Sequence, residues 1–177
     1  MNCLQVEIEM IKYLDYVRNL IVTNCSYGLD LCYEADIVCL GASYATEIEI
    51  KVSRSDLLAD KKKKPQAHNS NLFKFFYFAV PEKLEEIALK EIPERAGLYV
   101  IRKKFNPSLR EAHIFWFEVE KVREAQTNPL AKKWDIDMRC RLARLGAIKV
   151  LSMKANIEEN NRQKEFVNNR KKEEEKK

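Results

Sequence analysis

The sequence contains few of the residues that build long loops or membrane spans. Among 177 residues there are four glycines and five prolines, too few for a fibrous or loop-dominated chain. The stretches without a charged residue, such as the ten residues 37–46, are too short to cross a bilayer. Acidic residues at Glu7 and Glu9 argue against a signal peptide. We therefore expect a cytoplasmic protein with no membrane partner.

The cysteines and histidines also lack the close spacing that a zinc site requires. The five cysteines form no C-x-x-C pair, and the two histidines, His68 and His113, are far apart in sequence. Structural zinc sites usually draw on closely spaced ligands. The sequence therefore predicts reduced, mostly buried thiols and no zinc centre.

The net positive charge of the chain is small and is divided between its body and its last residues. The net charge is +5, but from Lys154 onward there are eight basic and six acidic residues. The rest of the chain has 24 basic and 21 acidic residues. This small excess does not indicate a nucleic-acid-binding protein, so any basic contact surface must be local.

The order of apolar and polar residues predicts alternating helices and strands. Met10, Leu14, Val17 and Ile21 recur at helical spacing, and residues 46–52 alternate strictly, as in a strand. Further strands are predicted at 21–26, 35–40, 73–80, 98–102 and 112–119, and further helices at 53–64, 82–90 and 130–145, the last with Gly146 as its C-cap. We expect an α/β fold with a central mixed β-sheet flanked by helices. Residues 1–153 would form the domain, and 154–177 a charged tail, helical or disordered.

Four charged residues interrupt these apolar or alternating patterns. Asp36 lies in an otherwise apolar strand, and Glu7 lies on the apolar face of the first helix. Glu49 and Lys51 are two residues apart on one strand, so they share a face. Because burying uncompensated charge costs several kcal/mol per group, their convergence would require a function that uses them.

Phosphodiester hydrolysis is a reaction that uses all four residues. Carboxylate oxygens are the ligands that Mg²⁺ prefers, and a bound divalent ion activates water and stabilises a leaving oxygen. A neighbouring lysine positions or deprotonates that water, or stabilises the oxyanion. The competing interpretation is a solvent-facing row of Glu47, Glu49 and Lys51 that forms cross-strand ion pairs of little energetic value.

Four stretches of sequence resemble a known family. Residues 34–36, EAD, and residues 47–61, EIEIKVSRSDLLADK, resemble the core of the PD-(D/E)xK nuclease-like group. That group includes phage-encoded proteins and the MmcB-like DNA repair proteins. Residues 76–82, FYFAVPE, and 93–98, PERAGL, are also similar to it. The resemblance covers roughly residues 7–102, with weaker similarity to about Lys149 and with alanine in place of proline before Asp36.

The resemblance implies a restriction-endonuclease-like core, a nucleic-acid substrate, and Mg²⁺ or Mn²⁺ as cofactor. It assigns Asp36 and Glu49 as metal ligands, Lys51 as the catalytic lysine and Glu7 as the helix-borne acid, which would also bind metal. The expected function is metal-dependent hydrolysis of DNA in repair or phage DNA processing. The alternatives are a catalytically silent DNA-binding or assembly module and a structural protein whose charged face meets a partner, and a homodimer is left open.

Further residues are candidates for DNA contact around the second predicted helix. The start of this helix, residues 53–55, is rich in hydroxyl groups and could receive a phosphate. The run of lysines at 61–64 could contact the DNA backbone. His68 follows in a polar loop, where solvation is the simpler interpretation. Trp116 and the aromatic residues of 73–78 are expected to lie in the core. The candidate nucleic-acid-binding residues are Ser53, Arg54, Ser55, Lys61, Lys62, Lys63 and His68.

Overall fold

Six strands form one open mixed sheet in the computed structural model, which describes residues 1–25, 28–60, 70–105 and 115–174. Their order in the sheet follows their order in sequence. The β3–β4 and β4–β5 pairs are parallel, and the other three pairs are antiparallel. The α/β class expected from the sequence is confirmed. The strands are β1 (Leu20–Cys25), β2 (Ala35–Leu40), β3 (Ala45–Ile50), β4 (Phe73–Pro81), β5 (Gly97–Phe105) and β6 (Phe115–Arg123).

Helices cover both faces of this sheet. Helix α1 packs Val6 and Met10 onto one face, where Ile48 and Ile50 of β3 belong to the same apolar cluster. The opposite face has two apolar clusters, one containing Leu142 of α4 and the other Leu57 of α2. The helices are α1 (Cys3–Tyr13), α2 (Arg54–Asp60), α3 (Glu85–Glu91), which follows a 3₁₀ turn (Glu82–Leu84), and α4 (Ile136–Glu174).

The first helix is shorter than the apolar spacing indicated. It ends at Tyr13, so Val17 is 81% exposed and Ile21 belongs to β1. The chain turns because Asp15 adopts a positive φ of 55°, a conformation that Asp tolerates better than most residues. The side-chain amide of Asn19 donates to the carbonyl oxygen of Leu14 at 2.7 Å, which satisfies an acceptor released at the helix end.

The prediction for the last helix was wrong at both ends. Helix α4 begins at Ile136 and not at residue 130, and it continues through Gly146 to Glu174. A Cβ on Gly146 would lie 3.3 Å from Cγ2 of Val22. The glycine therefore lets α4 approach β1 closely, and its role is packing rather than C-capping.

Helix α4 continues past the part that packs on the sheet. The predicted boundary between residues 153 and 154 falls inside the helix, so the division of the chain there stays a prediction. Side chains from 151 to 166 are exposed, whereas Leu142 and Leu145 belong to the core. No helix in the described part of the chain is long and apolar enough to span a membrane.

A chain that stops at Ala155 is expected to melt within about 2 °C of the full-length protein, because the removed residues bury little apolar surface. Thermal unfolding followed by circular dichroism measures this shift. A chain that stops at Cys140 is the control, since it loses Leu142 and Leu145 from the core and should not fold. A large loss of stability in the longer chain would show that the distal helix is docked.

The aromatic residues do not all follow the core prediction. Phe73, Phe76 and Phe78 of β4 are buried as expected. Trp116 is 49% exposed, because it lies near the end of β6, an edge strand with one pairing neighbour. The core prediction for Trp116 was therefore wrong. The predicted strand at 112–119 corresponds to β6, with residues 112–114 outside the described residues.

Candidate active site

The antiparallel pairing of β2 with β3 positions two acidic residues, Asp36 and Glu49. Val38 pairs with Glu47, and side chains two residues apart on a strand share a face. Asp36 and Glu49 therefore lie on the same face, next to one another across the two strands. Oδ2 of Asp36 accepts a hydrogen bond from the amide of Ile50 at 2.7 Å. The side chain of Asp36 is thus fixed against the end of β3.

Lys51 lies one residue beyond β3 and is buried with the acids. Its amide donates to the carbonyl of Ala79 at 3.0 Å, which continues the parallel pairing with β4. Its Nζ lies 2.7 Å from Oε1 of Glu49 and 3.8 Å from Oδ1 of Asp56 in α2. Lys51 is therefore held between two acidic side chains, one on the sheet and one on a helix.

The charged face of β3 does not face solvent. Glu47, Glu49 and Lys51 are 0%, 3% and 4% exposed. Glu47 pairs with Phe76 and Glu49 with Phe78 on β4, and both phenylalanines belong to an apolar cluster on this face. The interpretation of this row as solvated ion pairs was wrong. Charges buried among apolar groups are costly and occur where ligands, ions or catalysis use them.

Glu47 has a specific partner in the segment before β2. The hydroxyl of Tyr33 donates to Oε2 of Glu47 at 2.9 Å. Burial raises the pKa of Tyr33, and the negative charge of Glu47 raises it further. The hydroxyl therefore stays protonated well into the alkaline range and remains a donor to the buried carboxylate.

Glu7 lies in α1, which packs on the face of the sheet that Ile48 and Ile50 share. It is half-buried, one turn beyond Cys3. Partial burial raises the pKa of the Cys3 thiol, and the charges of Asp36, Glu7 and Asp56 raise it further, while Lys51 opposes them. The structure places Asp36, Glu49 and Lys51 beside one another, and the approach of Glu7 to them stays a prediction.

The residues predicted to contact nucleic acid divide into two groups. Ser53 is the N-cap of α2, because its Oγ accepts from the amide of Asp56 at 3.1 Å. Its Oγ also lies 3.1 Å from the hydroxyl of Ser55. Arg54 and Ser55 are exposed. Four further candidates lie outside the described residues: Lys61, Lys62, Lys63 and His68.

The donor chemistry of the acidic pair fits a small divalent cation. Mg²⁺ usually takes one or two protein carboxylates and completes its shell with water and substrate phosphate. Asp36 and Glu49 supply such a pair on one face of adjacent strands. Within residues 1–25, 28–60, 70–105 and 115–174, no three Asp, Glu, His or Cys side chains form a ready-made metal site.

No protein-family model matches the sequence, and no curated protein matches it.

Several residues of the site escaped the sequence analysis. Glu47 was placed on the strand face of Glu49 and Lys51 but was not assigned to the site. Asp56 of α2 was not predicted as a partner of Lys51. Tyr33 carried no signal, because it lies in an irregular segment. Asn24 of β1 lies beside Asp36 of β2, between the pairs Thr23–Ile37 and Cys25–Ala35. Its φ is positive, at 51°.

Replacing Tyr33 with phenylalanine is expected to lower the free energy of unfolding by about 1–3 kcal/mol, because Glu47 loses a hydrogen-bond donor while it remains buried. Urea denaturation at neutral pH measures the change. Tyr16→Phe is the matched control, since Tyr16 is exposed. An equal loss in both variants would show that the Tyr33 hydroxyl does not specifically stabilise Glu47.

Proposed function

We propose that this protein is a divalent-metal-dependent deoxyribonuclease of the PD-(D/E)xK type. The observation that carries the proposal is the position of Lys51. Its ammonium group is buried and lies 2.7 Å from Glu49, which shares a strand face with Asp36. An acidic pair beside a buried lysine suits a reaction that needs both a cation site and a positively charged group near the reacting phosphate.

Each residue has a separate role in this proposal. Asp36 and Glu49 would hold Mg²⁺ or Mn²⁺, with Glu7 as a third acid from α1. When bound, the ion lowers the pKa of a coordinated water and neutralises charge on the phosphate. Lys51 orients the attacking water or stabilises the phosphorane oxyanion with its ammonium group. Asp56, 3.8 Å from Nζ of Lys51, helps to keep that group charged and oriented.

The order of the secondary structure also supports the proposal. The chain runs helix, three antiparallel strands, helix, and then a strand parallel to the third. This is the arrangement expected of the restriction-endonuclease-like core that the sequence resembles. The fold alone does not establish an activity, because one fold hosts many functions. The buried charges are the stronger argument.

One observation favours a second function, a DNA-binding module without catalysis. Asp36 accepts a hydrogen bond from the Ile50 amide, and Glu49 is paired with Lys51. These polar groups are therefore stabilised by partners within the protein. A protein that had lost catalysis while it kept its fold would need such internal compensation.

A cleavage assay distinguishes the two functions. The protein is incubated with supercoiled plasmid, single-stranded circles and branched DNA, with Mg²⁺, Mn²⁺ or EDTA. We expect cleavage with either metal and none in EDTA. Lys51→Ala should be inactive, whereas Lys12→Ala, which removes a lysine paired with Glu9 on the exposed side of α1, should be active. Salt-sensitive DNA binding without cleavage would favour the silent module, and neither binding nor cleavage would reject both functions.

A further inference from the structure

The paired ends of β5 and β6 form an exposed aromatic cluster, which we call the aromatic tip: Lys103, Phe105, Phe115 and Phe117. Phe105 and Phe115 are 59% and 44% exposed. Their ring centroids are 6.4 Å apart, and Phe115 contacts Phe117 edge-on at 5.5 Å. Large apolar side chains that are clustered at the surface usually mark a binding site.

The aromatic tip also contains a positive charge. Nζ of Lys103 lies 3.9 Å from the ring centroid of Phe115 and 5.0 Å from that of Phe105. The rings therefore share a surface with a cation. A ligand suited to this surface has flat apolar faces and negative charge, which is the chemistry of a nucleotide.

A groove adjoins the aromatic tip at the start of α1. It has a volume of about 270 Å³, and its lining includes Met1, Gln5, Lys83, Lys103, Phe115 and Phe117. Met1 precedes α1, and Gln5 lies in its first turn. The groove therefore extends the surface of the aromatic tip along the start of this helix.

The charges along the groove favour a polyanion. Lys83 and Lys103 both line it. The acid that also lines it, Glu82, lies 3.1 Å from the guanidinium of Arg102, which also pairs with Glu85 and Glu120. A phosphate backbone that follows the groove would therefore meet two lysines and one partly compensated acid.

We propose that the aromatic tip and this groove bind an unpaired DNA strand. The inference rests on the proposed function, because that function makes DNA the substrate. Bases would stack on Phe105 and Phe115, and Lys103 would contact the backbone. In a duplex the faces of the bases are covered by their neighbours, so only an unpaired strand presents them to protein side chains.

Fluorescence anisotropy in EDTA tests this inference without cleavage. The probes are a fluorescein-labelled oligothymidine of about 16 nucleotides and a blunt duplex of equal length. We expect Phe105→Ala and Phe115→Ala each to weaken oligothymidine binding by about 10-fold, with little change for the duplex. Phe115→Tyr should restore binding, because a tyrosine ring also stacks.

Trp116→Ala is the matched control. Trp116 is an exposed aromatic next to Phe115 in sequence, but it pairs with Lys104 and lies on the opposite face of the sheet. Its loss should leave oligothymidine binding unchanged. Melting curves of all variants ensure that the comparison is made between folded proteins.

The outcomes separate this inference from the proposed function. If the wild type cuts DNA but the phenylalanine variants bind oligothymidine as well as it does, the inference is rejected and the nuclease proposal stands. If the rings are needed for binding but no DNA form is cut, the aromatic tip is still a strand-binding surface and the nuclease proposal is rejected. Preference for the duplex, or phenylalanine substitutions that alter only self-association in sedimentation, would also overturn the inference.

Discussion

Replacing Lys51 with alanine is expected to reduce DNA cleavage by about a thousandfold while divalent-metal binding is retained. Removing one group that stabilises a developing oxyanion typically costs two to three orders of magnitude in rate. The carboxylates remain, so the ion should still bind. Without the neighbouring ammonium, the metal affinity should be equal or higher, because Glu49 loses a competing partner 2.7 Å away.

Asp36→Asn and Glu49→Gln are expected to abolish cleavage for a different reason. Each removes a negative charge from the proposed cation site, so metal affinity and activity should fall together. Calorimetric titration with Mg²⁺ or Mn²⁺, alongside the cleavage assay, measures both quantities for all three variants. Loss of metal binding in Lys51→Ala, or its retention in both acid variants, would contradict the assigned roles.

Stability has to be followed in the same variants. Lys51→Ala leaves a buried carboxylate without its 2.7 Å partner, which typically costs about 3–5 kcal/mol. We expect added Mg²⁺ to recover part of this loss by neutralising Glu49. The double variant Glu49→Gln, Lys51→Met is the control, since it removes both charges and should be more stable than Lys51→Ala. Activity can then be normalised to the folded fraction.

A loss of stability of similar size is expected from Gly97→Ala. A Cβ at this position would overlap the ring of Tyr77 and lie 2.8 Å from the amide nitrogen of Ala125. The ring cannot easily move, because it stacks on Tyr99 at 4.5 Å and its hydroxyl donates to Glu124 at 2.6 Å. Overpacking of this kind costs about 3 kcal/mol or more.

Urea denaturation of Gly97→Ala and Gly41→Ala measures this effect. Gly41 is the control, because an added Cβ would meet its nearest neighbour, Oδ1 of Asn19, at an ordinary 3.7 Å. Its stability should change by less than about 1 kcal/mol. A Gly97→Ala protein as stable as the wild type would show that β4 and β5 are less closely packed than the structure indicates.

The central strands and the acidic pair were accessible from the sequence. Strict alternation in β3 and one acid in an otherwise apolar β2 sufficed to place Asp36, Glu49 and Lys51 on one face. Local patterns specify strands well when one face is charged and the other is apolar. The burial of Glu47 was not accessible, because it depends on β4 and on Tyr33, fourteen residues away.

The helix ends were predicted less well than the strands. The apolar spacing from Met10 to Ile21 continues across the end of α1, where Asp15 and Asn19 stop the helix through backbone conformation and capping. Gly146 was taken as a stop, although it lies where α4 approaches Val22. A glycine that ends a helix and one that permits close packing look alike in sequence, and only tertiary contacts distinguish them.

The strand order of the sheet has a consequence for how the site forms. Each strand pairs with the one before it in sequence, so every pairing joins neighbouring segments of the chain and costs modest loop entropy. The acidic pair lies on a hairpin that is complete at residue 50 and can form early in folding. Lys51 depends on Ala79 of β4 for its backbone partner. The carboxylates are therefore expected to come together first, and the lysine to be enclosed only when β4 docks.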